Sequence, residues 1–445
     1  MTGIRSVRIG FVDQHGLVRS KTLSSAGLAS AFANGITAAS TLLSKDTSGH
    51  TVFSAFDADG GLGAAEMAGA ADIIMIPDPT TFRVLDWADD EGWMLSDLKF
   101  KNGAEVPFCS RTVFANALQR AESLGMLFMT GLEIEFHLFK RSDITAGPLT
   151  VNQLNVGNQL LLESWADEVQ PFMRRVQDHL ARLEIRLSTI EVEYGPSQLE
   201  ITLSPGIGIG PADSVILLRT AMKQVARRHG YHVTFMCRPQ LPNSVSSGWH
   251  LHQCLIGTGK KSGQNLFLPP DGETTLSETG KSFTAGLLRH GRAASAFAVP
   301  TINGYKRFQP YSMAPDRVAW ASDNRGAIVR VVGSPESGNT HIENRIGEPA
   351  ANPYLYMASQ LHAGLQGINE RLLLGPSADN PYTDEAQKFP ATLSEAIRAL
   401  EADTTLTRAM GEDFVRYYIG LKRAEIVRFN HTVTDWEQNE YFDLF

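Results

Sequence analysis

Cysteine is scarce in this chain: three in 445 residues, Cys109, Cys237 and Cys254, far apart. Such spacing makes no disulfide framework and points to a reducing compartment, the cytoplasm. Apolar runs long enough to span a bilayer are also missing, and the start, MTGIRSVRIGFVD, has no signal-peptide pattern. An excess of positive charge is lacking. The formal net charge of −8 argues against a general nucleic-acid binder. No internal repeat or low-complexity tract occurs. A Walker loop is absent as well: GTGKKSG at 257–263 lacks the Gly-x-x-x-x-Gly-Lys-Ser/Thr spacing and reads as a basic surface loop, so any ATP must be held another way. What remains is an ordinary globular composition, 43% hydrophobic and 20% charged, on a chain long enough for two domains.

The segment before residue 105 is strand-rich. VRIGFVDQHGLVRSKTL reads as a hairpin turning at Asp13–Gly16, and ADIIMIPDPTTFRVL and GWMLSDLKF supply further strands. A helix begins near Ser110, with Phe114, Leu118 and Ala121 on one face and Gly125 as its stop, so the domain division falls at 1–104 and 105–445. Strands and helices then mix. Asn352 and Pro353 form the cap and first position of a later helix, and the end from about Leu393 is mainly helical.

Chemistry enters with GLEIEFHLF, residues 131–139. Alternation puts Leu132, Ile134, Phe136 and Leu138 on one face of a strand, and Glu133, Glu135 and His137 on the other. Ionised groups leave water at great cost unless paired or coordinated. An edge strand with its acids in water satisfies that rule; so does a central strand lining a cation-binding cavity. The pattern recurs. IEVEYGPSQLEI offers Glu191 and Glu193, then Glu200 on the returning strand; GWHLHQCL offers His250 and His252; NTHIENRIG offers Glu343 and Arg345, with His341 on the same face. Together these strands suit the walls of one funnel, and a carboxylate-dominated site prefers Mg²⁺ or Mn²⁺ to zinc. Arg307 in NGYKRFQP, with Arg325 and Arg330 in DNRGAIVRV, adds planar forks suited to carboxylate or phosphate. Beside a metal-binding funnel they suggest phosphoryl transfer.

The ordered motifs GLEIEFHLF, EVEYGPSQLE, SGWHLH, NGYKRFQP, DNRGAIVR and IENR…ANPYL resemble the glutamine synthetase family of ATP-dependent γ-glutamyl ligases, strongly from Gly131 to Gly367. The resemblance implies an α+β fold: an N-terminal β-grasp domain, and a catalytic domain whose antiparallel strands form a funnel flanked by helices. It implies a homo-oligomer of stacked rings, usually dodecamers, with each site completed by a neighbour's N-terminal domain. By motif, Glu135, Glu193 and Glu200 would hold one Mg²⁺ or Mn²⁺ ion, and Glu133, His250 and Glu343 a second. His252 would face phosphate. Arg325 and Arg330 would stabilise the transferring phosphoryl group of ATP, while Arg307 and Arg345 would hold the acid substrate, Arg345 also nearing the phosphoryl group. The implied reaction activates a side-chain carboxylate as an acyl phosphate, which an amine then converts to an amide.

Departures from the family pattern carry the rest. Ammonia-using members bear a glutamate on the flap after the Tyr-Lys-Arg motif; in YKRFQPYSMAP the same place is Met313, which cannot bind ammonium or accept its proton. An organic amine is implied, unless the flap is shifted and another acid substitutes. SKDTSG replaces the family's ammonium-binding motif, leaving Asp46 as a substitute. Trp249 stands where methionine is usual and either adds an aromatic wall or fills the core. Ser246 takes the place of a glycine that meets the substrate's α-amino end, and His341 replaces an arginine near the phosphates. Tyr382 lies in a loop where some relatives are adenylylated. The reading is a glutamate ligase for an alkyl or aryl amine, with polyamines disfavoured for want of acidic partners. Ordinary glutamine synthetase and a catalytically dead structural ring are the alternatives.

Overall fold

A computed structural model describes residues 3–89, 91–142, 150–270, 275–378, 380–381 and 386–445. Tyr382 lies outside the described residues.

Before residue 105 run β1 (Ser6–Val12), β2 (Val18–Ser24), α1 (Leu28–Asn34), β3 (Ile36–Ala39), β4 (Asp72–Pro77), β5 (Arg83–Leu85) and β6 (Glu91–Lys99). The hairpin falls where the Asp13–Gly16 turn places it, with Val12 opposite Val18. The sheet order is β2-β1-β6-β4-β3, with β5 beside β6 and the β1–β6 pair parallel. Helix α2 (Ser110–Ser123) follows and gives way at Gly125, whose φ of 77° suits a residue without Cβ. The proposed division at 104/105 thus falls between β6 and α2. Packing nonetheless crosses it, because Leu95, Phe108, Phe114 and Phe128 belong to one buried cluster.

The second sheet contains β7 (Met126–Arg141), β8 (Val151–Gln153), β9 (Leu187–Val192), β10 (Gln198–Ile207), β11 (Tyr231–Thr234), β12 (Trp249–Gly257), β13 (Trp320–Ser322), β14 (Val329–Val332) and β15 (His341–Gly347). Its order is β13-β14-β15-β12-β7-β10-β9, with β8 and β11 pairing the far end of β7. Apart from the parallel β13–β14 pair, it is antiparallel. β7 lies between β12 and β10, so the edge-strand reading of its acidic face fails.

Helices α3 (Glu163–Arg182), α4 (Gly210–Arg228), α5 (Glu278–Ala298), α6 (Pro353–Glu370), α7 (Leu393–Ala402), α8 (Thr404–Met410), α9 (Glu412–Asn430) and α10 (Asp435–Tyr441) complete the α+β fold. Asn352 caps α6 as its sequence indicates, accepting from the Tyr354 N–H at 3.1 Å. Its amide also donates to the Asp13 carbonyl at 3.0 Å, tying α6 to the N-terminal hairpin. The 257–263 loop carries Lys260 and Lys261 exposed. Among the described residues, no helix is long and apolar enough to cross a membrane.

Candidate active site

Strand register assembles the polar face. Glu133 on β7 stands opposite His250 on β12, and Glu135 opposite Glu200 on β10. His252 and Arg330 both pair with Glu343 on β15. Side chains directly opposite on one face have Cβ atoms about 4.5–5.5 Å apart, so pairs remote in sequence become neighbours. Meanwhile Leu132, Ile134, Phe136 and Leu138 are buried on the reverse face of β7.

His250 is the hub. Its Nδ1 lies 3.0 Å from Glu133, 3.7 Å from Glu343 and 4.0 Å from Glu200. Two groups of potential ligand atoms result, each within 4.8 Å: Glu133, His250 and Glu343, and Glu135, Glu200 and His250. The first is the expected second-metal set. In the other, His250 occupies the place expected of Glu193, which sits in the turn after β9 with its carboxylate accepting from the Tyr194 N–H at 3.1 Å. Glu193 is still near enough to push Glu135 upward.

Titration separates these acids. Burial, reinforced by Glu193, pushes Glu135 up to about 8. Burial with Glu135, Glu133 and Glu193 pushes Glu200 up to about 9, and burial also raises Glu193. Glu133 behaves oppositely: burial would raise it, but the hydrogen bond with His250 and the nearby His252 ring hold it well below the usual range. Glu343 is likewise lowered against burial, by His250, Arg345, His252 and Arg330. Burial, then Arg345, brings His250 down to about 4, leaving a neutral imidazole able to ligate. Crowded acids that resist ionisation, an oxygen-rich donor set and one imidazole fit hard divalent cations.

Arg330 and Arg345 clamp Glu343. Arg330 donates to it at 2.9 Å and also holds Asp323, while Arg345 donates to its other oxygen. Arg307 is buried, donating to the Arg345 carbonyl at 2.7 Å and lying 3.4 Å from His250 Nε2. Arg325 is exposed in the turn before β14, outside this cluster. Met313 is 64% exposed, and its carbonyl accepts from Arg345 at 3.4 Å, which puts the flap residue at the funnel mouth. The next flap acid, Asp316, is paired with Arg317 at 2.7 Å.

Trp249 requires a correction. As a neighbour of His250 along a strand it points the other way, fully buried and edge-on to Tyr356, so it fills the core rather than walling the funnel. Ser246 is half-buried with its hydroxyl at the Cys237 thiol. Asp46 accepts from the Ser48 and His50 N–H groups and pairs with Arg428 at 3.3 Å. None of these partners belongs to the funnel of its own chain.

Two supporting residues escaped sequence reasoning. Gln198 donates to Glu135 at 2.8 Å and to Ser247 at 2.9 Å, wholly buried. Its place two residues before Glu200, on the same strand face, was the available signal. Gly248 lies against Arg307: a Cβ there would come within 2.3 Å of the guanidinium, so any larger residue displaces it.

Fold and donor geometry define a ligase built on a carboxylate funnel, and the chain belongs to the family described as "Glutamine synthetase, catalytic domain", which matches residues 107–441. Over 99% of its length the chain is 42% identical to gamma-glutamylanilide synthase of Acinetobacter sp, covering 93% of that protein. It is 30% identical to the glutamate–isopropylamine ligase of Pseudomonas sp, covering 99% of this chain and 95% of the relative. A solved structure titled "Apo GmaS without ligand" superposes with a TM-score of 0.83 at 28% identity, covering 99% of this chain and 97% of the other. The protein is therefore an ATP-dependent glutamate–amine ligase that forms a C–N bond.

Proposed function

We propose that this ligase joins the γ-carboxylate of glutamate to an organic amine with an apolar body, an arylamine before an alkylamine. The carrying observation is Met313 at the funnel mouth over Arg345, with the nearby Asp316 already paired to Arg317. A thioether packs against carbon and takes no proton. An arylamine is largely neutral at pH 7 and needs no acid on the flap to shed a proton before attack. Similarity to an anilide synthase supports the same choice.

Glutamate's γ-carboxylate attacks the γ-phosphorus of ATP, releasing ADP and leaving γ-glutamyl phosphate. The amine nitrogen then attacks the acyl carbon, phosphate departs, and the nitrogen gives up a proton. Arg330, Arg345 and Arg325 stabilise the charge that develops on the phosphoryl group. Arg307 and Arg345 hold the acid, and Ser246 meets its α-amino end. Asp46, supplied by a neighbouring subunit of a stacked-ring homo-oligomer, receives the amine's proton. Glu135, Glu193 and Glu200 would hold one Mg²⁺ or Mn²⁺ ion, and Glu133, His250 and Glu343 another. When bound, these ions neutralise charge on the phosphates.

The test is phosphate release from ATP with glutamate and Mg²⁺ or Mn²⁺ across ammonia, alkylamines, polyamines and anilines, with products weighed by mass spectrometry. A γ-glutamyl anilide as best product, with ammonia poor, is expected, and Met313→Glu should shift preference toward ammonia. Glutamine as the best wild-type product would overturn the reading.

A further inference from the structure

The exchange of an arginine for His341 removes a permanent cation beside the phosphates. The geometry around this histidine gives it another task. Its Nδ1 lies 2.6 Å from the Asn339 carbonyl oxygen. A carbonyl only accepts, so Nδ1 carries the hydrogen, and in the neutral ring Nε2 presents a lone pair. That lone pair faces Nδ1 of His252 at 2.9 Å, which makes His252 Nδ1–H the donor. The two rings, 5.1 Å apart and inclined at 51°, meet through this edge contact rather than by stacking.

The position of His341 is itself fixed. Asn265 donates to the Thr340 carbonyl at 2.8 Å, and the Asn339 side chain accepts from the Ser334 N–H at 3.1 Å. Because His252 stands opposite Glu343 and His341 lies two residues before it, the histidines are diagonal neighbours on one sheet face. With Nδ1 committed, His252 turns Nε2 toward the funnel. It lies 3.0 Å from Glu133 yet out of hydrogen-bond alignment, buried and without an aligned partner among the described residues.

We propose that His341 is a positioning residue, which accepts from His252 Nδ1–H and so aims His252 Nε2 into the funnel at the phosphoryl group. Resting on the ligase reading, this assigns to position 341 a task done by orientation rather than by charge. Groups that orient a metal-ligating imidazole through its other nitrogen typically matter by about 10–100-fold, and the same scale is expected for an imidazole aimed at phosphate.

The test measures ATP-dependent phosphate release with glutamate and hydroxylamine, whose high nucleophilicity removes dependence on the natural amine. His341→Leu should lower kcat roughly tenfold or more with KM for glutamate unchanged. His341→Asn, whose amide oxygen can accept from His252, should regain most of that loss. In a His252→Ala background, His341→Leu should cost less than about threefold, because the group it positions is gone. Equal losses for Asn and Leu, or a full multiplicative loss in the His252→Ala background, would overturn the proposal while leaving the ligase intact. Absence of wild-type turnover would instead sink the ligase reading and this inference with it. Should His341→Leu fail to fold, the comparison of His341→Asn with His341→Ser, each in both backgrounds, decides by the same non-additivity.

Discussion

The funnel's two sides use one residue type under opposite electrostatics. Toward β12 and β15, Glu133 and Glu343 are held low by His250, His252, Arg330 and Arg345. Toward β10, Glu135, Glu193 and Glu200 are pushed up, Glu135 to about 8 and Glu200 to about 9, with arginines only a partial counterweight at Glu135. Like charges sharing a dry site cannot all ionise unless a cation joins them. The first side is balanced by the protein's own cations; the second is completed by protons or by metal. A buried carboxylate therefore cannot be assigned a stabilising or destabilising role from its burial alone.

Substitution should break this comparison most sharply at Glu343 and Glu200. Removing one partner of a buried ion pair leaves a stranded charge, costing about 3 kcal/mol or more. Glu343 is 1% exposed between Arg330 and Arg345, so Glu343→Gln should lower metal-free stability by about that much. Glu200→Gln relieves crowding instead and should raise the metal-free melting temperature while abolishing turnover. Calorimetric melting in chelator gives both signs; a common sign would refute the division of the funnel.

The next effect concerns how Glu135 is aimed. Gln198→Leu removes the amide that bonds it, and divalent-cation affinity should fall by roughly 10–100-fold, as titration calorimetry can measure. Unchanged affinity would mean that the crowding of Glu200 and Glu193 alone orients Glu135.

The raised side should also reveal itself by protons. At pH 7, below the values near 8 and 9, Glu135 and Glu200 retain protons that a bound cation must displace. Binding heats of Mg²⁺ or Mn²⁺ in buffers of different ionisation enthalpy should report release of about one to two protons per site. Release should shrink as pH rises through 9 and fall in Glu200→Gln. No release at pH 7 would show that both acids are already ionised.

Much of this was legible in the sequence because period-two alternation names a face without needing contacts. Glu133 with Glu135, His250 with His252, and Glu343 with Arg345 announce their shared surfaces, and Asn352–Pro353 announces the cap of α6. Register was not legible. Which residue of β10 meets Glu135 depends on pairing, so Gln198 stayed hidden, as did the nearness of His250 to Glu135 and Glu200. At Trp249 the two alternatives are separable by the same rule, since alternation assigns it to the face opposite His250, away from the funnel. His341 was legible as a missing charge and illegible as a hydrogen-bond acceptor, since its partners Asn339 and His252 meet it only through a turn and a neighbouring strand.

The last expected effect lies just beyond the funnel, where Glu348 extends the comparison to a buried acid with neutral partners. Burial lifts it to about 7, although the Thr301 N–H and hydroxyl donate to it at 2.7 and 2.8 Å. The folded protein thus keeps a proton that the unfolded chain gives up near 4.5, the ordinary value. Its contribution to stability is fully present below that point, declines as pH rises toward about 7, and is level beyond. Glu348→Gln keeps the shape and an acceptor for Thr301 without the titration, so stability between pH 4.5 and 7 should flatten by roughly 2–3 kcal/mol. Denaturant melts of both proteins across that range give the difference directly. An unchanged slope would mean that the two Thr301 donors hold Glu348 ionised, placing it with Glu343 among the acids that the fold has already balanced.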